Sequence, residues 1–184
     1  MLEISLNPFP QLTTERLLLR AVDATDAAAL FALRSNPAAM QFVDRPRFEK
    51  QEEAVELVAT MQRNVETNTG ITWAIALKEE PAAMIGTIGL WRFIKEHYRA
   101  EIGYMLLPAF WKKGYMKEAS DAVIKFAFNS MNFHSIEANI NPHNLASEAL
   151  LQKSGFVKEA HFRENYYYNG RFFDSVIYSL VNNS

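Results

Sequence analysis

Residues 111–116 read WKKGYM, between a strand-like run that ends at Leu107 and an amphipathic run that starts near Tyr115. A glycine among lysines at the start of a helix has two uses. It can make a plain strand-to-helix turn, or it can hold an anion. A helix N-terminus presents unpaired backbone N–H groups and the positive end of the helix dipole. Gly114 lacks the Cβ that would block a close approach and accepts a positive φ. Lys112 and Lys113 add charge, which completes the parts of a phosphate cradle. The stretch is not a P-loop, because neither Lys-Ser nor Lys-Thr follows the glycine, and it is not G-x-G-x-x-G. Taken alone, the plain turn is the simpler reading.

Outward from this turn, residues 98–107 (YRAEIGYMLL) read as a strand, 115–130 as a helix and 134–140 (HSIEANI) as a second strand. The helix carries Ala119, Val123, Phe126 and Ala127 on one stripe. A strand, a helix and a strand in that order imply a parallel pair. Upstream, 71–78 (ITWAIALK) and 83–91 (AMIGTIGLW) extend a meander. Before them lie a strand at 15–22, a helix capped by Asp23 or Thr25 and ended by Asn36-Pro37, and a helix over about 49–67. In that last helix Ala54, Leu57, Val58, Met61 and Val65 share a stripe. Downstream, a short helix over 144–154 stops at Gly155, and strands at 156–162 and 171–181 flank the hairpin turn Asn169-Gly170. The order predicts an α/β (α+β mixed) fold, a mixed sheet with helices on its faces.

The 184 residues carry no repeat or linker, so one domain over residues 1–184 is expected. A net charge of −2 supplies no general attraction to nucleic acid or anionic membranes, so any anion must be bound locally. The absence of cysteine excludes disulfides, thiolate metal sites and a cysteine nucleophile. His97, His134, His143 and His161 lack metal-ligand spacing, so no metal is expected. The first residues have no signal-peptide pattern, and no run approaches the ~20 apolar residues of a membrane span. A cytoplasmic protein with neither membrane nor nucleic-acid partner is the expectation.

The segment 141–156, NPHNLASEALLQKSGF, adds a second turn-to-helix start at Asn144 and Ser147. EIGYMLLPAFWKKGYMKEA (101–119) followed by NLASEALLQKSGF resembles the GNAT superfamily of acetyl-CoA-dependent N-acetyltransferases. TTERLLLRAVDATDAAALFAL near the start and NGRFFDSVIYSL near the end are similar to its RimJ/RimL-type branch, which acetylates protein N-termini and related amines. The likeness runs from about Thr13 to Leu180.

The resemblance implies a GNAT-like, mostly antiparallel mixed sheet whose one parallel strand pair splays apart, with coenzyme A in the gap. It implies that pantetheine pairs with the backbone near Met105, Leu106 and Leu107, with an N–H near Leu107 polarising the acetyl carbonyl. It places the pyrophosphate on the amides of Lys112, Lys113, Gly114, Tyr115 and Met116, and pantetheine against the Asn144 side chain, which otherwise reads as a helix N-cap. The loop departs from the family's Gln/Arg-x-x-Gly-x-Gly/Ala: Trp111 stands first, as in the branch, and Met116 stands last, where it must point away from the diphosphate.

An amine near pKa ~10 must lose a proton before it attacks a thioester. Glu101, on the strand leading into the gap, is the candidate base, or else a carboxylate on a sheet face. The tyrosine that serves many relatives as general acid is Leu151 here, so Ser147 is the candidate proton donor, or else a support of the helix start. Tyr166 and Tyr168 could line the acceptor pocket or simply pack, and the acidic helix near Glu49–Glu56 reads best as a solvated face. The expected function is direct acetyl transfer from acetyl-CoA to a primary amine, by a monomer or homodimer. A protein N-terminus is the first acceptor and a small amine the second. The competing expectations are a catalytically inactive coenzyme-A-binding sensor or scaffold and a nucleotide-binding or nucleic-acid-binding domain using Lys112 and Lys113, against which the acidic pI of about 6.1 argues.

Overall fold

The computed structural model describes residues 2–182. The strands are β1 (Leu12–Thr13), β2 (Leu17–Ala21), β3 (Ile71–Leu77), β4 (Glu80–Ile94), β5 (Arg99–Leu106), β6 (Ser135–Ile140), β7 (Val157–Tyr168) and β8 (Arg171–Val181). The helices are α1 (Ala27–Ser35), α2 (Gln51–Glu66), α3 (Tyr115–Asn129) and α4 (Leu145–Lys153). All eight strands form one sheet in the order β1-β2-β3-β4-β5-β6-β8-β7. Every pairing is antiparallel except β5 with β6, the pair joined by α3.

Period-2 patterning decides which helix covers which face. Leu17, Leu19, Trp73, Ile75, Ile88, Leu90 and Ile102 point to one side and pack on Ala119, Val123 and Ala127 of α3 and Leu151 of α4. Burying each such large apolar side chain contributes ~1.5–3 kcal/mol. Trp73 anchors this layer, with its Nε1–H donating to the Pro10 carbonyl at 2.7 Å and Phe126 edge-on at 5.7 Å. The opposite face, with Val22, Ala74 and Met84, packs on Leu30 of α1 and Ala54 and Val58 of α2.

Helix starts follow local chemistry. Asp23 caps the turn before α1 by accepting from the Thr25 amide at 2.8 Å. Glu53 closes the start of α2 by accepting from the amides of Glu49 and Lys50. The Asn169-Gly170 turn has positive φ at both residues, 47° and 83°, as a tight hairpin requires.

Two strands outrun the sequence expectation. β4 runs to Ile94 through an irregularity at Arg92, whose φ is 50°. β7 runs to Tyr168 across a bulge between Phe162 and Tyr166, where Glu164 has φ 48° and its amide donates to Asp174 at 2.9 Å. Bulges break the alternation that marks a strand. Among the described residues no helix is long and apolar enough to cross a membrane.

Candidate functional site

The parallel pair is short. β5 and β6 are in register only at Arg99–Ser135, Ala100–Ile136 and Glu101–Glu137. Beyond that point β5 stays with β4 as far as Leu106, and β6 stays with β8 as far as Ile140. The two strands therefore separate, and a wedge-shaped gap opens toward their carboxyl ends. Ligands of open α/β sheets bind at such ends.

On the β5 side of the gap, alternation of the ladder decides which amides are free. The Leu107 N–H donates to the Ile85 carbonyl at 2.9 Å, which directs it toward β4 and away from the gap. That corrects the expectation for Leu107, since its amide is already engaged. By the same alternation Met105 bonds toward β4 and the backbone of Leu106 faces the gap. The Leu106 carbonyl accepts from Trp111 Nε1 at 2.7 Å, so the Trp111 ring ties the strand end to the turn that follows.

The turn leads into α3 with Lys112 at φ 59° and Gly114 at φ 82°. No side chain caps the helix, and the first amide bonded back is that of Glu118, to the Gly114 carbonyl at 3.1 Å. The amides of Lys112, Lys113, Gly114, Tyr115 and Met116 have no acceptor among the described residues, and residues 111–114 are exposed. Met116 is half-buried and packs against the main core. Such an end can take an anion.

Arg16, which the sequence patterns did not single out, borders this turn. Its Nη1 donates to the Lys113 carbonyl at 3.0 Å, its Cζ lies 4.5 Å from the Tyr115 ring centroid, and its Nε donates to Glu118 at 2.7 Å. Burial alone would raise the Glu118 carboxyl. Hydrogen bonds from Thr14 Oγ1 and from the Arg16 amide and guanidinium outweigh it and hold the group below its ordinary range. No local periodicity signals this cluster, because Arg16 and Glu118 are far apart in the chain.

At the β6 side, Asn144 is the N-cap of α4 and accepts from the Ser147 amide at 3.1 Å. Its amide nitrogen stays available as a donor. Ser147 is buried, and its Oγ lies 2.8 Å from the Tyr104 hydroxyl on β5, a bond that crosses the gap. Burial pushes the Tyr104 phenol up to about 12, with the Ser147 bond acting in the opposite direction. Tyr104 was missed because it reads as an ordinary inward residue of an alternating strand. Leu151 lies in the core.

Glu101 is the last β5 residue paired with β6, so it stands at the apex of the wedge. Its side chain is 13 % exposed and ion-paired with Arg92 at 2.6 Å, hence neither free nor solvated. Period-2 geometry puts it with Met105 on the α1–α2 face, while Tyr104 and Ser147 lie on the α3–α4 face. Gly103 between them has no room for a side chain, since an added Cβ would fall 2.2 Å from the Trp91 ring. The structure thus places the candidate base and the candidate acid on opposite faces of one gap.

On the α1–α2 face a cavity of about 900 Å³ opens beside the carboxyl end of β6. Its walls are the 37–47 loop, Asn141–His143 and the β7–β8 hairpin tip. Tyr168 lines it, while Tyr166 stacks on Phe173 at 5.6 Å and donates to Asp44 at 2.5 Å, tying hairpin to loop. Among the described residues no three His, Asp or Glu side chains gather to hold a metal.

The profile of the acetyltransferase (GNAT) domain matches residues 16–157. The uncharacterized N-acetyltransferase YoaA of Bacillus subtilis is 35% identical over 94% of this chain and 97% of its own length. The [ribosomal protein uS5]-alanine N-acetyltransferase of Escherichia coli is 34% identical over a shorter stretch, 44% of this chain and 41% of its own. A GNAT-family acetyltransferase structure from Bacillus anthracis superimposes with a TM-score of 0.82 at 25% identity, covering 94% of this chain and 98% of that one.

Proposed function

The chain belongs to the GNAT acetyltransferase family, and on that premise we propose that it moves an acetyl group from acetyl-CoA to a primary amine by direct transfer in a ternary complex. The observation that carries this reading is the conjunction of an open β5–β6 wedge with an uncapped, exposed α3 N-terminus at its mouth. The residues present fit coenzyme A: a diphosphate would meet the amides of Lys112–Met116, with Lys112, Lys113 and Arg16 around it. The Leu106 backbone and the Asn144 amide nitrogen would hold the pantetheine arm, and Met105 flanks it on the other face. Charge-assisted hydrogen bonds of this kind contribute ~1.5–3 kcal/mol each.

Bound there, acetyl-CoA supplies an activated thioester carbonyl. The chain's own residues supply position and protons. Glu101, directly or through a water, accepts the proton of the incoming ammonium from the α1–α2 face, and Arg92 orients its carboxylate. Ser147 gives a proton to the departing thiolate from the α3–α4 face and regains one, relayed by Tyr104, from the attacking nitrogen, which sheds its second proton as the amide forms. Without cysteine, no thioester forms on a cysteine of the chain.

The acceptor we favour is a protein N-terminus, supported by the cavity's size and by the likeness to the uS5-alanine enzyme. Calorimetric titration with acetyl-CoA, run beside a thiol-release assay over N-terminal peptides and small amines, tests the reading. Binding with turnover is expected. Binding with no turnover on any amine would leave a coenzyme-A-binding sensor, and no binding would remove the wedge assignment altogether.

A further inference from the structure

The cavity on the α1–α2 face is lined by Arg45, Arg47 and Arg171, none of which has a carboxylate partner among the described residues. Its two aspartates are engaged. Asp44 accepts from the Tyr166 hydroxyl, and Asp174 accepts from the Glu164 amide at 2.9 Å and contacts His161 Nε2 at 2.7 Å. Behind the wall stands Arg34. Its Nη1 meets two sulfurs, Met40 Sδ at 3.8 Å and Met105 Sδ at 3.5 Å, and its guanidinium faces the Phe48 ring at 5.8 Å. Burial first and the neighbouring Arg45 second lower its pKa.

A guanidinium withdrawn from water with no counter-charge is costly, and an arriving anion offsets that cost. Arg also recognises carboxylates bidentately through its planar fork. Three arginines thus line, beside two occupied aspartates, a cavity that begins directly after β6, with Arg34 behind its wall. A polycation would meet net repulsion there.

Resting on the acetyl-transfer reading above, we infer that the acceptor is a peptide N-terminus carrying carboxylate side chains close behind its α-amine, gripped by Arg45, Arg47 and Arg171, with Arg34 beneath. The volume of about 900 Å³ accommodates several residues, more than a single small amine needs.

The test compares synthetic peptides of one length and one N-terminal residue, with Asp and Glu, with Ser and Gln, or with Lys at the next three positions, together with spermidine. Peptide binding is read by fluorescence anisotropy with coenzyme A present, and acetylation by mass spectrometry. The acidic peptide is expected to bind and to show kcat/KM at least tenfold above the neutral one, with the basic peptide and spermidine lowest. The advantage should shrink as salt rises. R45Q, R47Q and R171Q should each raise KM for the acidic peptide severalfold, with a smaller change in kcat, and should narrow the acidic-to-neutral gap. Equal binding of all three peptides, or preference for the basic peptide or spermidine, overturns the inference while leaving acetyl transfer intact. Preferential anisotropy binding of the acidic peptide without acetylation of any amine supports the arginine grip on carboxylates but defeats the acetyl-transfer reading, and with it the peptide's role as acceptor.

Discussion

The Tyr104 hydroxyl on β5 and Ser147 Oγ at the start of α4 lie 2.8 Å apart, joining the two sides of a wedge whose backbones have separated. Neither group is exposed enough for water to replace the bond readily, so each fixes the other's rotamer. A serine meant to give up a proton at a defined point needs this kind of support.

Ser147→Ala should therefore lower kcat by ~10²-fold or more while leaving the acetyl-CoA Kd within about twofold, the range of a lost acid. Tyr104→Phe should fall between Ser147→Ala and the parent, and the double variant should be no slower than Ser147→Ala alone. Steady-state kinetics beside calorimetry decides this. Normal turnover by Ser147→Ala would assign the proton donor elsewhere.

Tyr104 has a second signature. The folded state raises its phenol to about 12, so it favours the neutral form. Its contribution to stability is complete below the ordinary tyrosine value of ~10 and is lost as pH rises through the folded value. Ultraviolet titration should show late phenolate ionisation that Tyr104→Phe reduces by one tyrosine. The remainder belongs to Tyr178, which burial and the Glu148 bond also push up to about 12, and to Tyr166, which burial and Asp44 raise as well.

Gly114 has φ 82°, and an added Cβ there would lie 3.3 Å from Arg16 Nη2, the mobile end of a side chain. Gly114→Glu should then cost ~1–3 kcal/mol in backbone strain and still fold. It also puts a carboxylate where the diphosphate would sit, so acetyl-CoA affinity should drop at least ~100-fold, since each 1.4 kcal/mol is tenfold. Circular dichroism and calorimetry on the same sample separate the two effects. Unchanged affinity would remove the anion from this turn.

Asn144→Ala loses a helix cap, worth ~1 kcal/mol, and the amide proposed to hold pantetheine. It should lower Tm by a few degrees and weaken acetyl-CoA binding severalfold, with kcat at saturation nearly preserved. That profile is the opposite of Ser147→Ala.

Glu118 sits below its ordinary carboxylate range because it accepts from Thr14 and Arg16. A lowered folded pKa means that the stabilisation is present above the unfolded value near ~4.3 and fades as pH falls through the folded one. Urea unfolding from about pH 6 to pH 3 should show a steeper acid loss for the parent than for Glu118→Gln.

Much of this was legible from periodicity. The α3 stripe at Ala119, Val123 and Ala127 and the α2 stripe at Ala54 and Val58 are buried as their spacing predicts. So was the parallel pair, because a helix intervenes between β5 and β6. The ends of β4 and β7 were not legible, since Arg92 and Glu164 take positive φ at irregularities that no alternation encodes. Residues acting through distant partners escaped as well. Arg16 has meaning only beside Glu118, Tyr104 beside Ser147, and Arg34 beside Met105. Leu107 misled for a related reason: its position along the strand was clear, whereas the direction of its N–H depends on pairing with Ile85.

The bond from Arg16 to the Lys113 carbonyl has a practical edge. It makes the turn just before β2 a structural part of the loop that opens α3, although about a hundred positions of chain separate the two. Trimming the amino terminus for crystallisation, or fusing a bulky tag close to it, would alter the chemistry of the pocket mouth. Protein made that way would hold an anion at the start of α3 less firmly than the untrimmed, untagged chain.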